Sequence, residues 1–268
     1  MLQAEFKIEK KRIAHSFSQA AESYDSHAYL QRKIADKLLA QLTKNEDIER
    51  VLDLGSGTGY CTHALQALFP KAEIINLDIA EAMLLFASKS QKGNGVKQKF
   101  ICADSEALPI VSGCFDIIFS SLSIQWCQDY ALLFSELNRI LKPKGKFYIS
   151  TFGPETLQEL TQAWQRVDSY IHVNNFQTDK FLENVISKKE FSELHIDIDV
   201  MLARYQSYES LARELKSIGA SNKNAGQVRG LSGRKKYLKL KHNFELNFDQ
   251  ELGIPVTYQV FYIKAQSS

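Results

Sequence analysis

A chain of 268 residues with 44% hydrophobic, 11% aromatic and 24% charged side chains has the make-up of a folded globular protein, which excludes a disordered, collagen-like or low-complexity chain. Its length exceeds the ~100–150 residues of an ordinary domain and predicts one large α/β domain or a core with a small lid. Thirty-three Lys and Arg against 31 Asp and Glu leave a formal charge of +2, too balanced for a surface that wraps a polyanion, so any electrostatic message is local.

Along the chain, Leu30, Ile34, Leu38, Leu39 and Leu42 recur at helical spacing among charged residues, which predicts an amphipathic helix over 29–42. Short β-type runs at 51–54, 73–77, 99–103, 115–119 and 146–150 then alternate with helical stretches at 60–68, 80–90 and 130–141, the last closed by Lys142, Pro143 and Gly145. That rhythm predicts parallel βαβ units. After Ser150 come helical patterns at 154–172 and 179–187, an alternating strand at 196–205, helices at 208–218 and 232–243, and a last strand at 256–263 expected at the sheet edge as a hairpin partner. The expected organisation is an N-terminal helical segment over 1–45, an α/β core over 46–152, and a helical lid over 153–268 with two strands that complete the sheet. Cys61, Cys102, Cys114 and Cys127 stand 41, 12 and 13 residues apart, which fits neither a metal-binding pair nor a disulfide framework and suits a reducing cytoplasm. No apolar run is long enough for a membrane span or follows the basic N-terminus as in a signal peptide.

The segment Val51-Leu-Asp-Leu-Gly-Ser-Gly-Thr-Gly-Tyr60 runs an apolar strand straight into glycines at 55, 57 and 59. In a doubly wound sheet that turn faces the ligand crevice, and glycine lets a ligand approach the backbone closely. Several nucleotide cofactors use such a loop. Asp78, 19 residues after Gly59, ends the second strand, where a carboxylate accepts both hydroxyls of a ribose or else caps the next helix. Asp104, in Cys102-Ala-Asp-Ser-Glu-Ala-Leu-Pro109, follows the third strand and is placed to accept an adenine amine or to cap a turn. Together the loop and the two acids resemble the S-adenosylmethionine site of class I methyltransferases. The cofactor set so implied is Asp53, suited to the cationic amino group, Gly55, Ser56, Gly57, Gly59, Asp78, Asp104 and Ser105, with no metal. The implied fold is a Rossmann-like α/β domain with a seven-stranded, mostly parallel sheet, an antiparallel last strand, N-terminal helices and a helical lid. A nicotinamide dinucleotide is the rival cofactor, but it favours G-x-G-x-x-G spacing, and here the third glycine is one position early.

The acceptor is approached by exclusion first. Ser120-Ser-Leu-Ser-Ile-Gln-Trp-Cys127 lacks the acid-or-Asn, Pro-Pro, aromatic motif of DNA amino-methylating enzymes, and no basic stretch carries an array of stacking aromatics, so nucleic acid is not expected. Phe17-Ser-Gln-Ala-Ala-Glu-Ser-Tyr-Asp-Ser-His-Ala-Tyr-Leu-Gln31, Ser123-Ile-Gln-Trp-Cys127 and Ser150-Thr-Phe-Gly-Pro-Glu-Thr-Leu157 resemble motifs of the malonyl-acyl-carrier-protein O-methyltransferases of biotin synthesis. So do His172-Val-Asn, Leu211-Ala-Arg-Glu-Leu-Lys-Ser-Ile-Gly-Ala220, Gly230-Leu-Ser-Gly-Arg234 and Pro255-Val-Thr-Tyr-Gln-Val-Phe261, so the likeness spans about 17–264. Two departures stand out: Pro143-Lys-Gly145 replaces the commoner Pro-Gly-Gly, and the loop 221–228 lacks the residues expected after Gly-Ala. The resemblance implies S-adenosylmethionine as methyl donor and a malonyl group, on acyl carrier protein or coenzyme A, as acceptor. It places Tyr24 beside the methyl group, the plain alternative being a core aromatic. By position, Gln125 and Trp126 just beyond the fourth strand hydrogen-bond and wall the acyl group, unless the Trp is purely structural; Arg32 pairs with the cofactor carboxylate or lies on the wet face of its helix; and His172 in the lid orients substrate or is an exposed or capping residue.

An independent charge count points the same way. Residues 204–241 hold ten Lys or Arg and two acids, an excess of eight positive charges that leaves the rest of the chain at −6. Such a patch suits an acidic carrier protein, and Arg213, Lys216 and Arg234 are the candidates to meet carrier, phosphate or substrate carboxylate; the plain alternative is a solvated helix face. Two other functions stay open at this point: a small-molecule O- or C-methyltransferase acting on an organic acid or quinone precursor, and a silent cofactor-binding module.

Overall fold

The structure, a computed structural model, describes residues 10–90, 98–220, 233–246, 249 and 251–268. Within these residues the apolar runs form β1 (Arg50–Leu54), β2 (Glu73–Asp78), β3 (Gln98–Cys102), β4 (Phe115–Ser121), β5 (Leu141–Phe152), β6 (Phe191–Tyr205) and β7 (Ile254–Ser267). The helices are α1 (Lys10–Ala20), α2 (Tyr24–His27), α3 (Tyr29–Leu39), α4 (Thr62–Leu68), α5 (Glu81–Ser90), α6 (Tyr130–Ile140), α7 (Gln158–Gln165), α8 (Asp179–Ile186), α9 (Tyr208–Ser217) and α10 (Arg234–Glu245). The described strands make one sheet of order β3-β2-β1-β4-β5-β7-β6, parallel from β3 to β5, with β7 antiparallel to both neighbours. β1, β2 and β4 are nearly continuous buried runs, as strands covered on both faces require.

One face of the sheet packs against α3, α4, α7, α9 and α10 through Ile34, Leu38, Leu65, Phe69, Leu211, Leu240 and Phe244. The other packs against α6 and α8 through Leu133, Phe134, Leu137, Leu182 and Ile186. Ile34 and Leu38 are fully buried, each worth roughly 1.5–3 kcal/mol against exposure, which fixes α3 as a rigid rod against the sheet. Caps set several helix starts: the side chains of Asp129 and Thr178 accept the backbone N–H of Leu132 and Phe181, and Ser207 with Ser210 forms a reciprocal box.

Three expectations are corrected. The last strand is not at the edge: β7 lies between β5 and β6, because it pairs over its length with both, and β6 is the edge strand. The helix expected over 154–172 shrinks to α7. Residues 153–157 are instead laced to β7, where Gly153 N–H donates to the Gln259 carbonyl, Leu157 N–H to that of Thr257, and the Thr156 hydroxyl to that of Gln259. Such bonds compete with a helix. The helix-closing residues 142–145 prove to be the opening of β5, with Lys144 at φ 64. The departing loop 221–228, Lys223, Arg229 and all but the last two residues of Gly230-Leu-Ser-Gly-Arg234 lie outside the described residues.

Candidate active site

The strand order reverses between β1 and β4, and a crevice opens at their C-terminal ends, the usual ligand position in an open α/β sheet. Gly55, Gly57 and Gly59 have φ of 73, 53 and 77, a region costly for other residues. At Gly55 the fit is steric as well: a Cβ would stand 2.1 Å from Ser123 Oγ in the loop after β4. The two loops that frame the crevice therefore touch only because residue 55 has no side chain.

Three cavities meet here. The crevice pocket is lined by Gly55, Gly57, Asp78, Asp104, Ser105 and Trp126, and is roofed by Lys10, Ile13 and Phe17 of α1. A smaller pocket lies beside Asp53, Gly55, Ser56, Gly57 and Arg32. A larger chamber is walled by Gln125, Trp126, Phe152, Leu160, Trp164, Phe176, Tyr208 and Leu211, with His172 and Lys216 also in its lining. The crevice pocket and the chamber share Phe17, Tyr24, Leu122 and Trp126, and Tyr24 borders all three cavities. Phe17 and Trp126 meet edge to face at 5.5 Å, closing that shared wall.

The acids have distinct environments. Asp53 is buried and one of its oxygens, Oδ2, has no partner; burial, with the charge of Asp78 second, raises its pKa to about 7. Asp78 accepts the backbone N–H of Gly57 (3.0 Å) and Ala80 (2.8 Å), so it braces the glycine loop while lining the crevice. Burial raises its pKa too, opposed by those same N–H groups. Asp104 Oδ1 accepts the Glu106 N–H, and its Oδ2 takes Lys10 Nζ at 2.5 Å. Ser105 Oγ lies 3.3 Å from Cys127 Sγ.

The remaining candidates divide. Tyr24 is held as a neutral phenol: burial first, then the charges of Asp78 and Asp25, push its hydroxyl above the ordinary tyrosine range. Arg32 faces the Asp53 pocket from above the Tyr60 ring, 3.4 Å from Asp25, with its Nε unpartnered. Gln125 has much of its hydrogen-bonding capacity taken, since Nε2 donates to the Leu122 carbonyl and Oε1 accepts from Thr151. His172 stacks on Trp164 with ring centroids 3.5 Å apart and shares a 2.7 Å hydrogen bond with Asp168. Of the three cations nominated for the substrate, only Lys216 reaches the chamber lining; Arg213 and Arg234 stand exposed on α9 and α10 outside it. Charge in that patch is also partly neutralised, because Lys236 pairs with Asp168 and Lys241 with Glu209. The sequence reading missed Lys10, Ser123, Gln31 and Glu106, whose Oε1 accepts the N–H of Gln128 and Asp129. Ser123 and Glu106 sat inside motifs already quoted, whereas nothing in the basic run Lys10-Lys11-Arg12 marks the first lysine as a roof residue.

Residues 52–149 match the family described as a methyltransferase domain. The chain is 39% identical over 266 residues to a malonyl-[acyl-carrier protein] O-methyltransferase of Gallionella capsiferriformans, covering 96% of this chain and 91% of that protein. The chain belongs to the malonyl-[acyl-carrier protein] O-methyltransferase family. A second family member, from Laribacter hongkongensis, is 34% identical over 265 residues, covering 96% of this chain and 89% of that one. The biotin biosynthesis bifunctional protein BioHC of Cellvibrio japonicus is 42% identical over 259 residues, and there the chain spans 96% of its own length but 50% of the relative's. The fold is also that of two solved structures. YcgJ of Bacillus subtilis superposes with a TM-score of 0.62 at 18% identity, covering 88% of this chain and 98% of that one. Haemonchus contortus phosphoethanolamine N-methyltransferase 2, solved with S-adenosyl-L-methionine, gives 0.60 at 17% identity, covering 93% and 57%.

The family's cofactor can be tested against the residues present, and they fit S-adenosylmethionine. The unpartnered buried oxygen of Asp53 suits a cationic ammonium, a glycine-lined crevice admits a sugar against the backbone, and Asp78 and Asp104 present acceptors along the same wall. A dinucleotide pyrophosphate would meet the carboxylate of Asp53 instead of bare backbone donors.

Proposed function

We propose that this chain transfers a methyl group from S-adenosylmethionine to the free carboxylate of a malonyl thioester carried on acyl carrier protein, giving the malonyl methyl ester of biotin synthesis. The observation that carries the reading is the wall common to the crevice pocket and the chamber, where Tyr24, Leu122 and Trp126 separate a cofactor site from an acyl site by one layer of side chains. The chamber, with a volume of ≈260 Å³ near the lower end of the ~300–1,000 Å³ of small-ligand sites, opens to solvent, which suits a short acyl group whose thioester arm trails out through the mouth. The names of the near-full-length relatives supply the acceptor.

When bound, S-adenosylmethionine supplies an electrophilic methyl on a sulfonium. A malonyl carboxyl, with a pKa near or below the ~3.9 of a side-chain carboxyl, is ionised at neutral pH, so the protein has no proton to remove. Its residues then have to position and to exclude water, effects that for well-oriented reactants reach roughly 7–11 kcal/mol. Asp53, Asp78 and Asp104 with Ser56 and Ser105 would hold the cofactor, and Arg32 its carboxylate. Tyr24, neutral by its surroundings, serves as a donor and not as a base. His172, the other basic candidate, lines the chamber but not the crevice pocket. A hydroxyl or carbon acceptor needs a general base beside the methyl group, so these two placements favour a carboxylate over the hydroxyl and carbon acceptors of the small-molecule alternative.

Lys216 at the chamber, with Arg213 and Arg234 on the neighbouring helices, would meet the phosphopantetheine phosphate and the acidic carrier; malonyl-coenzyme A, which presents the same arm, is the lesser substrate in this reading, and nucleic acid is no partner. The reading places the enzyme in the cytoplasm, in keeping with four free thiols at Cys61, Cys102, Cys114 and Cys127. Among the described residues no helix is long and apolar enough to cross a membrane. The test is methyl transfer from labelled S-adenosylmethionine to malonyl-carrier protein, with acetyl-carrier protein, malonyl-coenzyme A and a free dicarboxylic acid in parallel. Label on the malonyl-carrier species, released by mild alkali, is expected; label on the free acid alone, or none, overturns it.

A further inference from the structure

The chamber holds a polar side chain outside the cofactor set. Gln31, on the first turn of α3, is the only one of the described residues besides Tyr24 to border both the chamber and the Asp53 pocket, so it stands where the proposed acceptor site meets the proposed amino-acid end of the cofactor site. Its Oε1 is buried with no hydrogen-bond partner. A buried amide oxygen left unpaired costs about 1–3 kcal/mol, so a native chain rarely keeps one without a use. The helix that carries Gln31 is anchored one and two turns later by the fully buried Ile34 and Leu38.

We propose that Gln31 and the Tyr24 hydroxyl together grip the carboxylate that accepts the methyl group, an assignment that rests on the malonyl reading above. A half-turn of the terminal amide exchanges its oxygen for its NH₂, so the side chain offers N–H donors to an anion as readily as an acceptor. The chemistry explains why the grip is neutral. Methyl transfer forms a carboxyl O–C bond and breaks the S–C bond, the electron pair going to sulfur, so the negative charge on the carboxylate and the positive charge on the sulfonium vanish together. A cation against the carboxylate would stabilise the starting state more than the transition state and raise the barrier, whereas amide and phenol donors orient it with a smaller bias. The cationic lining of the chamber agrees: Lys216 lies on α9, and neither it nor His172 borders the Asp53 pocket or the crevice pocket. After transfer the ester has lost its charge and with it most of its hold on the two donors, which helps it leave.

The test uses the whole chain with Gln31→Met, which keeps length and removes the donors, and Gln31→Glu, which adds a like charge. S-adenosylhomocysteine affinity is measured by calorimetry, and steady-state methylation of malonyl-carrier protein is measured at saturating cofactor from pH 5.5 to 8. Gln31→Met is expected to raise the KM for malonyl-carrier protein at least tenfold with the S-adenosylhomocysteine Kd within twofold of the parent. Gln31→Glu is expected to lower kcat/KM at least a hundredfold at pH 7.5, and the deficit relative to the parent should narrow toward pH 5.5 as the new carboxyl takes a proton. A KM unchanged in both variants, or a loss of S-adenosylhomocysteine affinity in step with the loss of activity, overturns the assignment. If the parent itself methylates acetyl-carrier protein or free acids but not malonyl-carrier protein, it is the malonyl reading that has failed, and the assignment falls with it.

Discussion

Lys10 Nζ lies 2.5 Å from Asp104 Oδ2 and also contacts Glu106, which ties the first described turn of α1 to the loop after β3 across the crevice pocket. In the proposed reading Asp104 receives the adenine amine, and it is already engaged by an ammonium group. Cofactor and lysine would then compete for one oxygen, and the roof would loosen when the cofactor enters. Replacing Lys10 by Met is expected to tighten S-adenosylhomocysteine binding three- to tenfold and to speed its association in stopped-flow measurements, while the melting temperature of the free protein falls because the buried Glu106 loses its counter-charge and keeps only the N–H groups of Gln128 and Asp129. Weaker and slower binding in the variant would show that Lys10 holds the pocket in its binding shape and does not compete.

If Asp53 holds the cofactor's ammonium, as proposed, cofactor affinity depends on pH in a defined direction. Its pKa is raised to about 7 by burial and by Asp78, so below that pH it carries a proton that an incoming ammonium must displace. Affinity for S-adenosylhomocysteine should drop about tenfold per pH unit below 7 and level off above it, until the ligand's own amino group begins to lose its charge at higher pH. Calorimetry in buffers of different ionisation enthalpy should report close to one proton released on binding at pH 6. In Asp53→Asn both the slope and the proton release should disappear.

What the sequence made legible follows the range of the interactions concerned. The strand 51–54 and the loop Gly55–Gly59 are local: an apolar run followed by glycines at positive φ can be read from ten consecutive residues. Asp78 and Asp104 fall at strand ends by the same reasoning. The turn at 153–157 depends on Gln259 and Thr257, about 100 residues away, and no local pattern announces those bonds. The interior position of β7 is likewise a matter of two long pairings, with β5 and with β6. α1 falls inside the segment 1–45 expected to be helical, but no local pattern marks its bounds, for a related reason. Its apolar positions are few, and they are used on Met83 and Phe86 of α5, so the helix exists through a distant contact more than through its own periodicity. The candidate site was legible in its acids and glycines, whose chemistry is tied to strand ends, and illegible in Gln31 and Lys10, whose meaning depends on which cavity they border.

Lys144 offers a test of backbone strain away from the site. It sits at φ 64 in the turn that opens β5, where its side chain is exposed. A left-handed conformation costs an L-residue roughly 1–2 kcal/mol, and glycine gives back about 0.5–1 kcal/mol of that through its looser unfolded chain. Lys144→Gly should therefore stabilise the fold by about 0.5–1 kcal/mol, a rise of one to three degrees in Tm, with kcat and KM unchanged. Differential scanning calorimetry checks it, and a fall in Tm would mean that the lysine makes a compensating contact.

The basic helices give the last prediction, because the structure ranks their charges. Lys236 and Lys241 are engaged with Asp168 and Glu209, whereas Lys216, Arg213 and Arg234 have no ion pair among the described residues, and of these Lys216 alone borders the chamber. Exposed, unpaired charges act chiefly on encounter rate and salt dependence, and a charge at the mouth of a site acts on bound substrate as well. Arg213→Glu and Arg234→Glu should raise the KM for malonyl-carrier protein about three- to tenfold at low ionic strength, a difference that fades near 0.5 M salt as charges beyond a few ångströms are screened. Lys216→Glu should raise it more, keep much of the effect at high salt, and also raise the KM for malonyl-coenzyme A, whose arm enters the same chamber. Lys241→Glu should act differently: reversing the partner of Glu209 puts two carboxylates together and should lower Tm with little change in KM. Equal salt-dependent losses in all four variants would mean that only the net charge of the lid matters, and that no residue on it has a particular place in carrier binding.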